Sequence, residues 1–238
     1  MKKAVKQQPP FDIVGSMRLL QFGDSMLPVG GFSFSNGLES AIQMGVVRDV
    51  STLQSFVETA VFQSSSADGI AILISHRAAL EHRIDDVVHA DRTLFNRKMN
   101  EEMRTMSVRL GRKLAEICGR VTPGTLMDSW LSAIKSQETP GTYPIGIGIL
   151  FAAQGLSEAE AFAVHRYGVA ATILGASLRL MRVDHFDTQT ILYNINTMAG
   201  ADYERCSKAS LDDMATFSPV LDVLAAVHVQ SHIRMFMN

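Results

Sequence analysis

Two histidines in this 238-residue sequence have the spacing that metal ligands need. His228 and His232 lie four positions apart, so a helix would place both imidazoles on one face. Their segment, HVQSH, lacks the glutamate of an HExxH zinc motif, and no third ligand is apparent. Asp184, His185 and Asp187 could add ligands, but acidic residues also suit the start of a helix. A structural or surface role is the favoured interpretation, and a helical metalloenzyme is the alternative.

A glycine-rich segment, LPVGGFSFSNG, is the second candidate for chemistry. A phosphate-binding loop needs clustered backbone N–H groups, usually a lysine, and a preceding buried strand. This segment has no lysine and follows a helix-like stretch, so nucleotide binding is disfavoured. Glycines in a turn supply positive φ angles, but an ordinary turn seldom carries two phenylalanines. Phe32 and Phe34 therefore either fill the core or form a contact surface, and the sequence leaves both possibilities open.

No other arrangement of side chains predicts catalysis. The sequence shows no Ser/His/Asp or Cys/His order typical of a nucleophilic enzyme. Met99, Met103 and Met106 recur at helical spacing, which indicates packing in a core or an interface rather than copper binding. We therefore expect a protein that is not an enzyme, with no catalytic residue and no metal of its own.

Composition excludes several classes of function. The net charge is −2 and the pI is about 6.4, so no overall positive field favours nucleic acid. The longest weakly polar stretch, residues 168–178, is too short to span a bilayer. Two distant cysteines give no disulfide framework, which suits a reducing compartment. The first ten residues lack the apolar core of a signal peptide, and we expect a cytoplasmic protein without membrane or nucleic-acid partners.

Helical signals recur along the chain, whereas strand signals are scarce. Ser51 with Gln54 and Ser157 with Glu160 are capping-box patterns, and Asp68 is a candidate cap for the helix that follows it. The stretch 139–148, TPGTYPIGIG, is interpreted as a second glycine- and proline-rich connection. We predict helices over residues 16–21, 38–44, 51–61, 70–80, 83–96, 101–118, 126–134 and 157–181, one from about 187 and one from 219.

These elements predict one all-α domain. The fold class is a single compact helical domain of about ten helices over residues 11–238, preceded by a flexible tail over residues 1–10. The helix over 157–181 is the most apolar of the set. Gly168, Ala171, Gly175 and Ala176 lie near one another on it, and small residues there predict close approach of a second helix.

Four blocks of residues resemble the urease accessory protein UreF family. Residues 19–39, LLQFGDSMLPVGGFSFSNGLE, are similar to its LLQ and PVGG signature, in which Phe or Tyr follows PVGG and GLE closes the block. Glu102 and Arg104 with Gly111 resemble the E-x-R and glycine of a family helix. TYPIGIG resembles the HYP-x-x-x-G segment. The tail matches the family's ending at Ser218, Pro219, His228, Arg234 and Phe236.

The resemblance implies an all-helical, dimeric adaptor that acts in nickel delivery to apo-urease. Family members connect a urease-binding partner, UreD (also called UreH), with the nickel-carrying GTPase UreG. The resemblance implies no stoichiometric cofactor in this chain, because nickel and GTP act through the partner GTPase. It also implies that the glycine-rich loop contributes to assembly with other proteins and does not bind phosphate.

The carried-over interface residues are Pro28, Gly30, Gly31, Phe32, Phe34, Arg179, His228, Arg234 and Phe236. Phe32 occupies the aromatic position after PVGG, against which the C-terminal segment is expected to dock. Arg179 matches a basic position associated with the GTPase-facing side. Two departures weaken residue-level transfer: Thr142 replaces the histidine of HYP, and residues 181–185 read MRVDH instead of a V-P-L-G-Q-like run.

Overall fold

A computed structural model describes residues 12–24, 27–31, 34–99, 101–215 and 235–236 of the chain. These residues form eleven α-helices and, within the described ranges, no β-strand, which confirms the all-α prediction. The predicted tail over residues 1–10 and most of the predicted last helix from Pro219 lie outside them. The helices are α1 (Ile13–Gly23), α2 (Leu38–Gln43), α3 (Val50–Ser64), α4 (Ile70–Leu80), α5 (Ile84–Arg97), α6 (Glu101–Val121), α7 (Leu126–Lys135), α8 (Tyr143–Ala153), α9 (Glu158–Leu180), α10 (His185–Asn196) and α11 (Ala199–Cys206).

Two hydrophobic cores are joined by two long helical segments, which run antiparallel to each other. The first segment consists of α3 and α4, which a π-helical turn, Ser65–Gly69, joins into one continuous helix. The second segment is α9. The first core packs α4, α8 and the start of α9 with parts of α5, α6 and α7. The second core packs α2, α3, the second half of α9 and α10. No helix of the described residues is long and apolar enough to cross a membrane.

The centre of the first core is α8, which corrects the interpretation of residues 139–148 as a connection. Its sequence, YPIGIGILFAA, is buried at nearly every position. A helix that is apolar all round belongs in a core, and the proline stands in its first turn, where its missing N–H costs nothing. Glycines and a proline suggested a loop, but here the glycines allow close contact between helices.

Two glycines show that contact directly. A Cβ built on Gly148 of α8 would lie 2.0 Å from Ser75 Oγ and 2.6 Å from the carbonyl oxygen of Ile72, both on α4. A Cβ built on Gly111 of α6 would lie 2.1 Å from the carbonyl oxygen of Gly141, just before α8. The backbones of α4, α6 and the start of α8 are therefore packed too closely for any side chain at these positions.

A buried carboxylate fixes the turn that leads into α8. Asp91 of α5 is fully buried. Its Oδ2 accepts hydrogen bonds from Trp130 Nε1 at 3.1 Å, Thr139 Oγ1 at 2.7 Å and the Gly141 N–H at 2.9 Å. Its Oδ1 accepts from the N–H and the hydroxyl of Thr142, at 2.9 and 2.6 Å. Thr142, the departure from the family's HYP pattern, therefore has a structural role, because its hydroxyl binds this carboxylate.

Only some of the helices begin with the capping residues that the sequence predicted. The predicted capping box of Ser157 and Glu160 is confirmed at the start of α9. At α3 the box is formed by Asp49 with Thr52 rather than by the predicted pair two residues later. Asp68 caps no helix, because the chain continues through the π-helical turn into α4; its carboxylate binds Lys98 instead.

Candidate partner-binding surface

The glycine-rich segment forms the loop between α1 and α2. Gly30 has φ +91° and Gly37, immediately before α2, has φ +81°. Because side chains other than glycine seldom adopt this backbone conformation, the predicted need for positive φ is confirmed. Pro28 is exposed, and Gly30 and Gly31 are half-buried. Phe32, the aromatic residue carried over from the family, lies outside the described residues.

Phe34 has an interior position. Its ring is 6% exposed, and the next residue, Ser35, is fully buried. The Ser35 hydroxyl accepts a hydrogen bond from the backbone N–H of Glu39, at 3.5 Å, across the start of α2. Of the two possibilities left open for this phenylalanine, the structure shows the one in which it fills the interior. Its ring anchors the loop rather than presenting a surface.

Met235 and Phe236, near the C-terminus, are held against α2 and α9. The Glu39 carboxylate is almost fully buried and accepts hydrogen bonds from the backbone N–H groups of Met235, at 2.8 Å, and Phe236, at 3.1 Å. The Phe236 ring packs into the second core. The guanidinium of Arg179 stacks over this ring, with Cζ 4.4 Å from its centroid, as a cation–π contact. We call Glu39, Arg179 and Phe236 the C-terminal clamp.

The clamp brings together two residues that the sequence analysis placed in separate segments. Arg179 was carried over for the GTPase side and Phe236 for the tail, and here they touch. His228 and Arg234 lie outside the described residues. Glu39 was not predicted as a site residue, although it closes the quoted GLE block. The sequence did contain a signal for it, namely an acidic residue in a short helix with several apolar positions. A carboxylate that is buried with such a helix needs hydrogen-bond partners.

We expect Glu39→Ala to release the C-terminal end while the helical domain stays folded. The substitution leaves two backbone N–H groups without their acceptor, at a cost of about 1–3 kcal/mol each if they stay buried, so Met235 and Phe236 should detach. Faster amide hydrogen exchange at these two residues would show it. Glu81→Ala, at an exposed glutamate, is the control and should not change this exchange. Unchanged protection of both amides in Glu39→Ala would contradict the role given to this carboxylate.

A groove of about 390 Å³ lies between α9, the start of α6 and the loop before α2. The methionine stripe predicted for core or interface packing lines it: Met99 is exposed, and Met103 and Met106 are half-buried. Methionine side chains are flexible and adapt to different surfaces. Gly31 of the loop and Arg179 of the clamp also line the groove, so it connects these two parts of the candidate surface.

The small residues of α9 border this groove, which corrects the prediction of a close helix contact. Gly168, Ala171 and Gly175 line the groove, and no described residue lies within 4 Å of a Cβ built on either glycine. Only Ala176 of the predicted set is fully buried, and it belongs to the second core. Small residues were the correct signal for close backbone approach, but the helix pair that uses it is α4 with α8.

Four of the groove's titratable side chains, Asp68, Lys98, Tyr143 and His165, are largely buried, whereas Asp24, Tyr167 and Arg179 of the same lining are exposed. Lys98 Nζ lies 2.6 Å from Asp68 Oδ1, and both side chains are largely buried. His165 Nε2 lies 3.9 Å from Asp68 Oδ2, which is too far for a hydrogen bond. Burial lowers the pKa of His165, and burial raises the pKa of Tyr143 to about 12. At neutral pH this buried part of the lining thus holds one ion pair, Asp68 with Lys98, and two uncharged rings.

We expect His165 to make the fold less stable in mild acid. Its folded-state pKa lies below the unfolded value of about 6.5, so the unfolded chain binds the extra proton between these values. The stabilising contribution is complete above pH 6.5 and is lost as the pH falls through the folded-state pKa. Thermal melting between pH 7.5 and 5 should show a smaller decrease for His165→Gln than for wild type. His89→Gln, at an exposed histidine, should keep the wild-type slope; a wild-type slope in His165→Gln would contradict the assignment.

The alternative metal site receives no support from the described residues. Asp184 accepts hydrogen bonds from the N–H groups of Phe186 and Asp187 at the start of α10, and Asp187 accepts from the N–H of Asp184. The helix-start interpretation of this turn is therefore confirmed. Within the described residues, no three His, Cys, Asp or Glu side chains group to hold a metal. His228 and His232 lie outside those residues.

Within the described residues, the surfaces suited to binding a partner are better defined than any group of side chains suited to catalysis. The groove combines adaptable methionines with small residues that allow a backbone to approach. Its ion pair is satisfied internally. The clamp adds the exposed Arg179, a residue type that is enriched where protein partners bind tightly, whereas its aromatic ring, Phe236, is buried in the second core. This arrangement is suited to holding a protein segment.

Known proteins similar to this chain share one description. The sequence model of the UreF family matches residues 47–196. Urease accessory protein UreF 2 of Brucella canis is 52% identical over 227 residues, covering 94% of this chain and 92% of that protein. Urease accessory protein UreF of Yersinia enterocolitica is 49% identical over 222 residues, covering 93% of this chain and 97% of that protein. With a family match over more than half its length and relatives that align almost end to end, the chain belongs to the UreF family of urease accessory proteins.

Proposed function

We propose that this chain is a non-catalytic adaptor that joins UreD (UreH) to the GTPase UreG while nickel is delivered to apo-urease. The C-terminal clamp is the observation that supports this most, because it joins the residue matched to the GTPase side, Arg179, to the tail residue Phe236. One connected surface of loop, groove and clamp suits an adaptor that holds two partners. The partner GTPase carries nickel and hydrolyses GTP, and this chain binds neither of them as a cofactor of its own.

The proposal includes a cytoplasmic homodimer that assembles with UreD, UreG and apo-urease. Membership of the family supports it, as does the adaptable lining of the groove. The role of the chain is to position partners, so its effect on urease is expected through assembly and nickel content. No step of urea hydrolysis or GTP hydrolysis is assigned to its side chains.

Deletion of the gene tests the proposed function. Urease subunits should still assemble but hold little nickel and show little activity, and a plasmid copy of the wild-type gene should restore both. Nickel content of purified urease and co-purification of UreD and UreG with the tagged chain are the measurements. Fully active urease in the deletion strain at low nickel would contradict the proposal. Expression of the restored chain is checked by immunoblot.

A further inference from the structure

The solvent-facing side of α6 is basic, although the whole chain has a net charge of −2. Four exposed cations of this helix follow one another at spacings that place them on one side: Arg109, Arg112, Lys113 and Arg120. The acidic residue between them is Glu116, which pairs with Lys113 at 3.3 Å between Oε2 and Nζ. The three arginines therefore leave a positive surface along about 16 Å of helix.

A shallow cleft of about 500 Å³ opens beside this surface, between α5, α6 and the turn after α7. Arg112 of α6 and Arg92 of α5 line it, and both side chains are exposed. The half-buried ring of Phe95 belongs to the same lining, and Arg104 stacks over that ring with Cζ 5.4 Å from its centroid. We call this feature the α5–α6 cleft. It combines cations from two helices with an apolar wall.

The two arginines of the α5–α6 cleft keep most of their hydrogen-bonding capacity. Arg92 Nε donates to the carbonyl oxygen of Glu138 at 2.7 Å, which ties this guanidinium to the turn after α7. The terminal amino groups of Arg92 and the whole guanidinium of Arg112 form no hydrogen bond or ion pair with any described residue. A guanidinium presents its N–H groups in a planar fork that matches a carboxylate. The cleft thus offers two such forks, one of which is already oriented.

We propose that the α5–α6 cleft is a docking site for a carboxylate-rich segment of a partner protein. Charge complementarity specifies the occupant, because two acidic side chains of one segment can each meet one guanidinium while the segment packs on Phe95. Arg112 follows Met103 by about two and a half helical turns, so the cleft faces away from the methionine-lined groove. The site is therefore a second binding surface, and it does not depend on the proposed function.

A phosphate group fits this cleft less well than carboxylates on a protein segment. The cleft lies at the end of α7, whose last residue is Lys135, and Gln137 and Glu138 belong to its lining. The carbonyl end of a helix carries partial negative charge, and the Glu138 side chain adds a carboxylate. A compact dianion in the cleft is opposed by both, whereas single carboxylates reach the two guanidiniums separately from the exposed side.

The experiment titrates the full-length chain into a fluorescein-labelled hexaglutamate peptide and follows fluorescence anisotropy at low salt. Wild type should bind saturably, and added salt should weaken the complex. Arg112→Glu should weaken binding at least tenfold, because it removes one fork and opposes the peptide with a like charge. Its circular dichroism and melting temperature should match wild type, since Arg112 is exposed. Arg48→Glu makes the same charge change at an exposed arginine just before α3 and should bind like wild type.

The outcomes distinguish a specific site from general attraction between charges. Binding that shifts the Nε–Hε NMR signals of Arg92 and Arg112, but not that of Arg48, supports the proposal. Equal weakening in Arg112→Glu and Arg48→Glu, or no saturation by about 1 mM chain, overturns it. Inorganic tripolyphosphate or a single-stranded oligonucleotide that displaces the peptide at a lower concentration than unlabelled hexaglutamate makes phosphate the ligand and also overturns it. None of these measurements involves UreD, UreG or urease, so the proposed function is tested separately.

Discussion

Asp91→Ala is expected to destabilise the fold by about 3 kcal/mol or more, a large part of the 5–15 kcal/mol that holds a typical domain together. Five hydrogen bonds converge on this buried carboxylate. The substitution leaves buried donors on Trp130, Thr139, Gly141 and Thr142 without an acceptor, at about 1–3 kcal/mol for each that water cannot reach. These donors form the turn that sets the start of α8, so the central helix should lose its fixed position. Urea unfolding followed by circular dichroism measures the effect.

Two matched variants make this result specific to the buried acceptor. Asp85→Ala removes an exposed carboxylate from the same helix and should change stability by no more than about 0.5 kcal/mol. Asp91→Asn keeps the size of the side chain but replaces one acceptor oxygen with a donating amide, so it should fall between wild type and Asp91→Ala. If Asp91→Ala unfolds at the same urea concentration as Asp85→Ala, the turn does not depend on this carboxylate.

Gly148→Ala should also destabilise the fold, by about 3 kcal/mol, although alanine is the better helix former. The added methyl group would overlap Ser75 Oγ and the carbonyl oxygen of Ile72. The serine side chain can rotate, but the carbonyl belongs to the backbone of α4, so relief requires α4 and α8 to separate. Overpacking of this kind costs about 1–3 kcal/mol and occasionally more, and the contact distances here favour the upper end. The melting temperature is the measurement.

Gly175→Ala is the control for that substitution, and the opposite sign is expected. It makes the same change inside a helix, but no described residue lies within 4 Å of the new methyl group. Alanine is favoured over glycine in a helix interior by about 1 kcal/mol, so the melting temperature should rise slightly. If both glycines respond in the same direction, the close packing of α4 with α8 is not what distinguishes them.

The sequence predicted most of the helices because their apolar positions recur at helical spacing. It also predicted that glycines of the loop adopt positive φ angles, as Gly30 and Gly37 do, and it predicted the box of Ser157 with Glu160, since these depend on residues next to one another in the chain. It missed α8, because glycine, proline and isoleucine in YPIGIGILFAA have no amphipathic pattern when every face is buried. The low helix propensity of glycine and proline favours a loop there, but packing against α4, α6 and α7 stabilises the helix.

The candidate surface could be predicted only where it follows local patterns. The loop and the methionine stripe are visible in the sequence. The clamp is not, because Glu39 and Phe236 are separated by almost the whole chain and their contact depends on the fold. For the same reason the Asp68–Lys98 pair was missed and Gly175 was assigned to a helix contact. A pattern of small residues predicts that something approaches closely, without saying whether it is another helix or a groove.

The π-helical turn between α3 and α4 has a consequence for insertions and deletions. A turn of this kind holds one residue more than an α-helical turn, and each residue of an α-helix advances the side-chain direction by about 100°. Deleting Ser66 would allow an uninterrupted α-helix from α3 to α4, with every backbone hydrogen bond intact. Because the deleted residue is the extra one that the wider turn accommodates, α4 would keep its direction relative to α3, whereas deleting a residue inside α3 would rotate α4 by about 100° and turn Ser75 away from Gly148. The π-helical turn thus absorbs one extra residue between the two cores without changing which side of α4 faces α8, so a one-residue deletion at Ser65–Gly69 should be tolerated better than one inside α3.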